Sequence, residues 1–445
     1  MIPDKYTAAI KICTKLSNAG HEALFAGGIV RDMLLGKIGN DDIDIATDAA
    51  PSRIEELFHH TVPVGAQFGV MIVVQDGIPF EVATFRTDIG GADGRHPSEV
   101  CYTNAENDAL RRDFTINGLF YDPRTESVID YVGGEEDIRG GILRAIGDPH
   151  RRFEEDYLRM LRAIRFAARF GFTIEKETWN ALCENVAFIG KISVERIFAE
   201  LTKMFCSTNP RRALDLLNES GLLNVVLPEV SAMKGVEQPE QFHPEGDVFE
   251  HTRIAMELLG EYPDPVLAWS VLLHDIGKPL TKTVSDRIRF NSHDQIGMQM
   301  SYRILRRLHA ANTLVENVGA CVGNHMNFMH VRQMRLSTLK KFLSRPTIDS
   351  ELEMHRIDCL ASHGNCENYV FLKERLSVLQ QDAIKPVPFI RGRDLLSLGF
   401  REGPGIGSIL EDLYDRQLDE EIHSRDEALE YVRNTYILPD GVQLR

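Results

Sequence analysis

The chain has 445 residues, 43% of them hydrophobic and 26% charged, which is typical of a globular protein with several domains. Its net charge of −16 argues against a general polyanion binder, although residues 139 to 215 carry 14 basic and 10 acidic side chains, a local balance of +4. It has no run of about 18 apolar residues and no signal-peptide core, and its seven cysteines lack zinc-type spacing. These features argue against membrane insertion and predict reduced thiols and a cytoplasmic location.

The first part of the chain predicts a helix, a strand and a second helix. Residues 4 to 19 carry apolar side chains at helical spacing, and the apolar run from Ala23 to Ala26 indicates a strand. Gly27 and Gly28 follow this run and precede an amphipathic segment. Glycines let the backbone approach a ligand, and the unpaired N–H groups of a helix start suit phosphate oxygens. The pattern therefore predicts a phosphate-binding turn, to which Arg31 could add a guanidinium group.

The next segment, Asp42-Ile43-Asp44-Ile45, alternates polar and apolar residues. In a strand this alternation directs both carboxylates to one face and both isoleucines to the core. Two carboxylates on one rigid face can hold Mg²⁺. A Gly-Gly pair alone usually marks a turn, and an Asp-x-Asp alone usually lies in a solvated loop, but the two in this order indicate a site for phosphate and metal.

The stretch GGIVRDMLLG followed by DDIDIAT resembles the class II tRNA nucleotidyltransferases, or CCA-adding enzymes, and the related bacterial poly(A) polymerases. The resemblance implies an α+β fold, with a polymerase-beta-like nucleotidyltransferase head followed by all-helical neck, body, HD and tail domains. It implies transfer of CMP and AMP from CTP and ATP to the 3′ end of tRNA, with release of pyrophosphate. Asp42 and Asp44 would then bind Mg²⁺ and be catalytic, and Gly27, Gly28 and Arg31 would bind the nucleotide.

Two apolar runs, residues 69 to 74 and 78 to 85, are joined by Asp76-Gly77, a strong signal for a β-hairpin. The second run contains Glu81, which should face solvent or a charged partner. The family resemblance makes it the third catalytic carboxylate. From the sequence alone, a glutamate at a strand edge without a role remains open.

Residues 87 to 110 are rich in Gly, Asp and Asn and have little periodicity, which predicts a long functional or mobile loop. Enzymes that this chain resembles carry a flexible loop here that is needed to add the terminal A. Its presence favours complete CCA addition or A addition.

The segment Arg111-Arg112-Asp113-Phe114-Thr115-Ile116-Asn117 resembles the family's RRDFTxN motif. Adjacent arginines before a carboxylate could bind the triphosphate and ribose, with Asp113 accepting a hydrogen bond from a ribose hydroxyl. The alternative is a salt-bridged helix cap. The position of the motif in the series favours nucleotide binding by Arg112 and Asp113.

Residues 154 to 170 have the apolar spacing of one helix, with arginines on its other faces. In such a helix Asp156 and Arg159 lie on neighbouring turns, where an i,i+3 ion pair contributes roughly 0.2 to 0.5 kcal/mol. The same residues match the family's EDxxR motif, which selects the nucleotide. The resemblance extends nucleotide binding to Arg162 and Arg165.

A second constellation of His and Asp residues begins before residue 251 and includes the stretch HDIGK at 274 to 278. Its order resembles the HD superfamily of metal-dependent phosphohydrolases. One histidine on an apolar helix is usually a satisfied core residue, whereas an ordered set indicates a metal site. Imidazole plus carboxylate suits several transition metals as well as Mg²⁺ or Mn²⁺. The predicted metal ligands are His251, His274, Asp275, His293, His325 and Asp358.

The resemblance extends over nearly the whole chain. It predicts a head at residues 1–138, a neck and body that select nucleotides and bind RNA at 139–230, an HD domain at 231–375 and a helical tail at 376–445. An A-adding enzyme or a poly(A) polymerase would share the head. An HD phosphohydrolase with a degenerate, RNA-binding head is an alternative of another class, and the intact Asp42 and Asp44 pair argues against it.

Overall fold

The computed structural model describes residues 5–37, 42–65, 69–89, 99–241, 243–378 and 384–436. The chain divides into two compact units. The first comprises Met1–Ala232 with the short segments Gly260–Pro263 and Arg306–Ala310, and the second comprises Met233–Leu259, Asp264–Leu305 and Ala311–Arg445. Residues 90–98 of the predicted loop and residues 379–383 and 437–445 of the predicted tail lie outside the described residues.

The first half of unit one alternates strands and helices. The helices are α1 (Lys5–Asn18), α2 (Gly28–Leu34), α3 (Pro51–Leu57), α4 (Ala105–Leu110) and α5 (Gly134–Gly140). The strands are β1 (Ala23–Ala26), β2 (Asp44–Thr47), β3 (Thr61–Gly65), β4 (Val70–Gln75), β5 (Ile78–Thr84), β6 (Arg86–Ile89), β7 (Glu99–Tyr102), β8 (Leu119–Asp122) and β9 (Ser127–Asp130). The predicted order of helix, strand and helix at the start of the chain is confirmed.

A seven-stranded sheet in the order β3-β4-β5-β2-β1-β8-β9 forms the centre of this half. Neighbouring strands are antiparallel except β2 and β5, which are parallel. Asp76 and Gly77 join β4 to β5 with φ angles of 54° and 80°, the left-handed conformation that a two-residue hairpin turn requires. The predicted hairpin is therefore confirmed. Leu24, Phe85 and Phe120 belong to the buried core that holds α4 against the sheet.

The prediction of an aperiodic loop at residues 87 to 110 is wrong in part. β6 and β7 pair in antiparallel register, and α4 follows with the side chain of Asn104 accepting from the N–H of Asn107 at its start. Four-residue strands are too short to show a clear alternation, which explains why sequence periodicity missed them.

The second half of unit one is helical apart from one small parallel pair, β10 (Ile142–Leu143) with β11 (Thr173–Ile174). Its helices are α6 (Pro149–Glu155), α7 (Leu158–Phe170), α8 (Lys176–Asn185), α9 (Val194–Phe205), α10 (Pro210–Glu219), α11 (Leu222–Val226) and α12 (Pro228–Ser231). Short 3₁₀ segments occupy Thr115–Asn117 and Val186–Lys191.

In the residues of unit two that the structure describes, the regular structure is helical apart from the hairpin of β12 (Lys282–Val284) and β13 (Ile288–Phe290). Its helices are α13 (Val248–Glu257), α14 (Pro265–Leu273), α15 (Lys278–Thr281), α16 (His293–Arg307), α17 (Asn312–Asn324), α18 (Leu336–Leu343), α19 (Ile348–Ala361), α20 (Glu367–Val378), α21 (Gly392–Ser397), α22 (Pro404–Leu418) and α23 (Arg425–Thr435), with a 3₁₀ segment at His325–Gln333. Phe328 and Leu372 belong to one buried core, and Leu395 and Val432 to another. The predicted α+β class is thus observed, and no described helix has both the length and the apolar character of a membrane span.

Candidate functional site

Three carboxylates line one cavity: Asp44 of β2, Glu81 of β5, and Asp42, which lies two residues before β2. Ile45 of β2 lies opposite Val82 of the parallel strand β5, so Asp44 and Glu81, each one residue earlier, are neighbours across the strands. Both isoleucines of the Asp-Ile-Asp-Ile segment are buried and both aspartates are exposed, which confirms the predicted alternation. β5 lies inside the sheet, so the alternative of a strand-edge glutamate is wrong.

The surroundings of these carboxylates favour a bound cation. Asp44 opens into a cavity, but loss of hydration and the neighbouring Glu81 raise its pKa to about 6, against the opposing effect of Arg112. The side chain of Asp42 is 99% exposed, and its Oδ1 accepts a hydrogen bond from Lys5 Nζ at 3.0 Å. Clustered oxygen donors whose charges repel one another suit a hard divalent cation such as Mg²⁺.

A cavity of about 780 Å³ lies over the carboxylates, a volume typical of small-molecule sites. Its lining combines the acidic sheet face, the start of α2 and basic side chains from α7. The structure places every residue predicted for nucleotide transfer in this one lining: Gly27, Gly28, Arg31, Asp42, Asp44, Glu81, Arg112, Asp113, Asp156, Arg159, Arg162 and Arg165.

The glycine turn before α2 is packed against an arginine. Gly27 has a φ of 70°, and a Cβ added there would lie 2.8 Å from Arg112 Nη1. A side chain at this position would displace the guanidinium group. Arg31 Nη1 donates to Asn117 Oδ1 at 2.6 Å, and its Nε donates to Asp32 at 2.8 Å. The protein therefore uses part of the hydrogen-bonding capacity of Arg31 to fix its position in the cavity wall.

The RRDFTIN segment combines the two interpretations that the sequence left open. Arg111 and Arg112 both form ion pairs with Asp108, at 2.7 and 2.9 Å, as a salt-bridged helix end would. Asp113 accepts from Arg162 Nη2 at 2.6 Å and from Asn117 Nδ2 at 3.0 Å. Burial would raise the pKa of Asp113, but Arg162 and Asn117 outweigh it and lower the pKa to about 2. An ionised Asp113 thus holds Arg162 at the cavity.

The prediction of one helix from residue 154 to 170 is wrong. α6 ends at Glu155, Asp156 has extended backbone with φ −157° and ψ 103°, and α7 begins at Leu158. The Asp156 carboxylate accepts from the N–H of Leu158 at 3.0 Å. An aspartate that caps a new helix competes with continuation of the old one, and apolar periodicity does not reveal this competition.

The predicted ion pair between Asp156 and Arg159 is therefore absent. Asp156 Oδ2 accepts instead from Arg196 Nη2 at 2.6 Å, and Arg159 Nη1 donates to Glu155 Oε2 at 2.6 Å. The alternative of an i,i+3 salt bridge between Asp156 and Arg159 is wrong, although Arg159 forms an i,i+4 salt bridge with Glu155 of the same motif. Different partners anchor the two side chains, and both line the cavity.

In unit two, the six predicted metal ligands converge from separate elements. His251 lies in α13 and Asp358 in α19, His274 and Asp275 follow α14, and His293 begins α16. His325 begins the 3₁₀ segment after α17. All except Asp358 are buried. The packing of these helices thus brings together ligands that are far apart in the sequence. His251 and Asp358 are separated by 107 residues.

The ligands form two groups of three, His251 with His274 and Asp358, and Asp275 with His293 and His325. Asp275 Oδ2 lies 3.3 Å from His274 Nε2, and Asp275 Oδ1 lies 3.5 Å from His293 Nε2. The two oxygens of Asp275 therefore face different groups. This arrangement can hold two cations that share one carboxylate.

The geometry of the two imidazoles of His293 and His325 also favours a bound cation. Their Nδ1 atoms lie 2.8 and 2.6 Å from the carbonyl oxygens of Phe290 and Val322, which only accept, so each Nδ1 carries the hydrogen. Their Nε2 atoms are 3.1 Å apart. Burial, followed by the neighbouring His293, lowers the pKa of His325 to about 4 and keeps it neutral. Two imidazole lone pairs at this distance fit a metal ion between them.

The comparisons with known proteins agree with this geometry. Residues 23–144 match the model described as "Poly A polymerase head domain", residues 171–234 match "Probable RNA and SrmB- binding site of polymerase A", and residues 248–360 match "HD domain". A CCA-adding enzyme from Pediococcus pentosaceus is 44% identical over 215 residues, 48% of this chain and 54% of that protein. The chain thus spans about half the length of the curated relatives it matches.

Two solved structures resemble the whole fold. The CCA-adding enzyme of Bacillus stearothermophilus in complex with CTP has a TM-score of 0.75 and 26% identity, covering 96% of this chain and 98% of that one. The Thermotoga maritima CCA-adding enzyme complexed with tRNA has a TM-score of 0.61 and 20% identity, covering 98% and 96%. The chain is thus similar to CCA-adding enzymes in sequence over about half of its length and in fold over nearly all of it, and its residues 23–144 are similar to poly A polymerase head domains.

Sequence reasoning missed several residues that support the two candidate sites. Arg196 pairs with Asp156, and Glu200 accepts from Arg165 Nε at 2.6 Å. In unit two, a Cβ at Gly277 would overlap the carbonyl of His293, so the glycine of HDIGK permits the close approach of these segments. Lys278 Nζ lies 2.7 Å from Asp275 Oδ2. Gly277 and Lys278 belong to the HDIGK stretch, so the sequence contained a signal for them. Glu200 and Arg196 are 35 and 40 residues away from their partners, so no local sequence signal pointed to them.

Proposed function

We propose that the chain adds the 3′-terminal CCA of tRNA by transferring CMP from CTP and AMP from ATP, with release of pyrophosphate. The observation that carries the proposal is the single cavity that joins the Asp42, Asp44 and Glu81 carboxylates to a basic wall. Related proteins are named CCA-adding enzymes, and solved relatives carry CTP or tRNA. A tRNA substrate supports the cytoplasmic location that the sequence predicted.

Asp42 and Asp44 would hold two Mg²⁺ ions, with Glu81 assisting. The exposed oxygen donors and the raised pKa of Asp44 support this assignment. Bound Mg²⁺ supplies Lewis-acid activation of the primer 3′-hydroxyl and neutralises triphosphate charge. The protein contributes a rigid sheet face, because the buried neighbours Ile45 and Val82 fix the two strands that present the carboxylates.

The basic wall would bind and orient the nucleotide. Gly27 and Gly28 leave the backbone open to phosphate at the start of α2, beside Arg31. Arg112 and Asp113 would position the ribose and triphosphate. In the present arrangement Asp113 is fully engaged by Arg162 and Asn117, so its contact with a ribose hydroxyl requires it to share an oxygen that already accepts a bond. Arg165, held by Glu200, completes the positive wall.

Asp156 and Arg159 would select the incoming base. Cytosine presents its N4 amino group beside the N3 acceptor, and adenine presents its N6 amino group beside N1, so both offer a donor next to an acceptor. A carboxylate that only accepts and a guanidinium that only donates complement both bases, while uracil and guanine present the reversed order. An unpaired polar group in a buried site costs roughly 1 to 3 kcal/mol, so two mismatches give strong discrimination.

The decisive experiment incubates the protein with CTP or ATP and three tRNAs, which lack the whole CCA end, its last two nucleotides, or only the terminal A. We expect CTP to extend the first two substrates and ATP to complete the third. Incorporation of AMP alone, and only on the third substrate, would identify an A-adding enzyme. Long A tails would identify a poly(A) polymerase. Failure of all nucleotides to be incorporated would contradict the assignment.

The domain division follows the same proposal. We infer a head at residues 1–138, a neck and body at 139–230, an HD domain at 231–375 and a tail at 376–445. Matches to head, RNA-binding and HD models at 23–144, 171–234 and 248–360 support it. The separate buried core formed by Leu395, Val432 and their neighbours supports a distinct tail.

A second activity is favoured by the ligand cluster of unit two: metal-dependent hydrolysis of phosphoesters, with 2′,3′-cyclic phosphates as candidate substrates. His251, His274, Asp275, His293, His325 and Asp358 would hold the metal, and this mixed donor set fits Mn²⁺, Co²⁺ or Ni²⁺ as well as Mg²⁺. Bound metal would activate water, while Lys278 beside Asp275 supplies a cation for a phosphate.

This second activity is tested by assaying cyclic and linear phosphoesters with each of these four metals. His274→Ala and Asp275→Ala should abolish hydrolysis and spare nucleotide transfer, because both residues lie in unit two and the transfer cavity lies in unit one. If the wild-type protein hydrolyses none of the substrates with any metal, the cluster has a structural role.

A further inference from the structure

The four histidines of the unit-two cluster are not oriented in the same way. His274, His293 and His325 each direct Nδ1 to the carbonyl oxygen three residues earlier, that of Val271, Phe290 or Val322, at 2.6 to 2.8 Å. The carbonyls of Val271 and Val322 lie in the last turns of α14 and α17, where backbone acceptors are left without partners in the helix itself, and that of Phe290 lies at the end of β13. The main chain therefore fixes these three rings.

His251 lies four residues into α13, where no such carbonyl is available. The oxygen three residues earlier, that of Val248, already accepts the hydroxyl of Thr252 at 2.8 Å. His251 Nδ1 instead lies 2.6 Å from Glu245 Oε1. His251 is thus the one histidine of the four whose Nδ1 is held by a carboxylate within the described residues.

The position of Glu245 is fixed by burial and by a second histidine. Its side chain is 7% exposed, and its Oε1 also accepts from His243 Nδ1 at 2.8 Å. The His243 and His251 rings meet edge to face with centroids 5.0 Å apart. The three side chains could surround a metal ion, but the Nδ1 atoms of both imidazoles already lie at hydrogen-bonding distance from the same oxygen, Glu245 Oε1. The geometry favours a supporting role for Glu245 over a role as ligand.

We propose that Glu245 is the positioning residue of His251: it fixes the Nδ1–H tautomer and so directs Nε2 toward the metal group. His251 Nε2 lies 3.2 Å from His274 Nε2 and 3.1 Å from Asp358 Oδ1, the other members of that group. A carboxylate behind an imidazole also makes the ring a stronger donor than a carbonyl does. His243 supports Glu245 from the other side. The inference rests on the metal site proposed above.

The test compares Glu245→Gln with Glu250→Gln in the full chain. Glu250 lies next to His251 in α13 but pairs with Arg253, so its substitution controls for the loss of a charge in this segment. The first measurement is ¹⁵N NMR of the histidine rings in metal-free protein at about pH 10, where the rings are neutral and the spectrum reports the tautomer of His251. The second is the number of bound Mn²⁺ ions and their affinity.

We expect Glu245→Gln to lower Mn²⁺ affinity about 10- to 100-fold, the usual effect of losing such a partner. The His251 ring should lose its fixed Nδ1–H tautomer, while the other three rings, the Glu250→Gln variant and CTP incorporation remain as in the wild type. His243→Phe should shift the affinity in the same direction by a smaller factor.

Three outcomes would overturn the proposal. One is an unchanged His251 tautomer together with wild-type Mn²⁺ affinity in Glu245→Gln. Another is the complete loss of one bound Mn²⁺ ion in Glu245→Gln, which would make Glu245 a ligand. A third is an equal effect of Glu250→Gln. If the wild-type protein binds no Mn²⁺, the metal site fails, and a changed tautomer in Glu245→Gln still separates that failure from failure of the positioning role.

Discussion

The two candidate sites are built in opposite ways. In unit one, Asp44 begins β2 and Asp42 lies two residues before it, and both side chains are exposed to the cavity. In unit two, His251, His274 and their partners come from different elements, and all of them are buried except the partly exposed Asp358. The first site is prepared by the alternation of one strand, and the second by the packing of several helices.

The difference has an electrostatic consequence. The open site concentrates negative charge, and the pKa of Asp44 rises to about 6 because Glu81 and the loss of hydration both oppose its ionisation. The buried site pairs acids with imidazoles and Lys278, and these partners hold the pKa of Asp275 well below its usual range against the effect of burial. An open site leaves its charge to be neutralised by a cation, whereas a buried one supplies much of the neutralisation itself.

The largest expected effect tests whether the two sites act independently. Asp42→Ala or Asp44→Ala should reduce nucleotide transfer more than about 100-fold, because loss of a bound metal costs several kcal/mol of transition-state stabilisation. Binding of tRNA and phosphoester hydrolysis by unit two should be retained. Transfer at wild-type rates in either variant would remove the two-metal assignment.

The second prediction concerns base selection within the open site of unit one. The two side chains proposed for it, Asp156 and Arg159, are held by different partners. The double variant Asp156→Arg, Arg159→Asp should shift preference toward UTP and GTP by about 10-fold or more, from reversed hydrogen-bond complementarity. Since Arg196 pairs with Asp156, the exchange should be made both alone and with Arg196→Gln, which removes repulsion between two arginines. Retained preference for CTP and ATP with measurable turnover in both variants would show that base selection lies elsewhere.

The raised pKa of Asp44 predicts a pH dependence of metal binding. Protons compete with Mg²⁺ for an ionised carboxylate, so the apparent Mg²⁺ affinity should fall as the pH decreases through about 6, by up to about 10-fold per pH unit. Glu81→Gln removes a neighbouring charge that raises this pKa, and it should move the midpoint to lower pH. Mg²⁺ titrations between pH 5 and 8 measure both, and an identical midpoint in the variant would contradict the coupling.

The smallest effect concerns stability. Asp44 has a folded-state pKa above that of an unfolded aspartate, so its ionised form destabilises the metal-free fold at pH values above 6. Asp44→Asn should therefore raise the Tm by roughly 2 °C at pH 8 without metal. The gain should shrink as the pH falls from about 6 toward the unfolded-state pKa near 4, because Asp44 then becomes protonated in the folded state. Thermal unfolding at pH 8 and pH 4 checks the sign, and a lower Tm for the variant at pH 8 would refute it.

The sequence predicted the open site well because its signals are local. Alternation with a period of two placed the two aspartates on one face, and Asp76-Gly77 fixed the hairpin that carries Glu81. The glycine turn was visible for the same reason. Each of these features depends on residues that are neighbours in the chain.

Local signals failed where neighbours compete. Residues 154 to 170 satisfy helical periodicity, yet the Asp156 carboxylate caps a new helix and breaks the old one. Its partner Arg196 is 40 residues away, and the partner of Arg31, Asn117, is 86 residues away. Periodicity describes which face of an element is apolar, and it carries no information about which charged groups the fold brings together.

The chain itself therefore determined the kinds of side chain available for chemistry: a pair of carboxylates two residues apart, a glycine turn, an arginine-rich helix and an ordered set of His and Asp. The tertiary structure alone decided how they work together. In the folded chain the two oxygens of Asp275 face two ligand groups, Asp156 pairs with Arg196, and Glu245 contacts Nδ1 of His251. The physical reason is that hydrogen bonds and ion pairs act over about 3 Å, a distance that only folding creates between residues far apart in sequence.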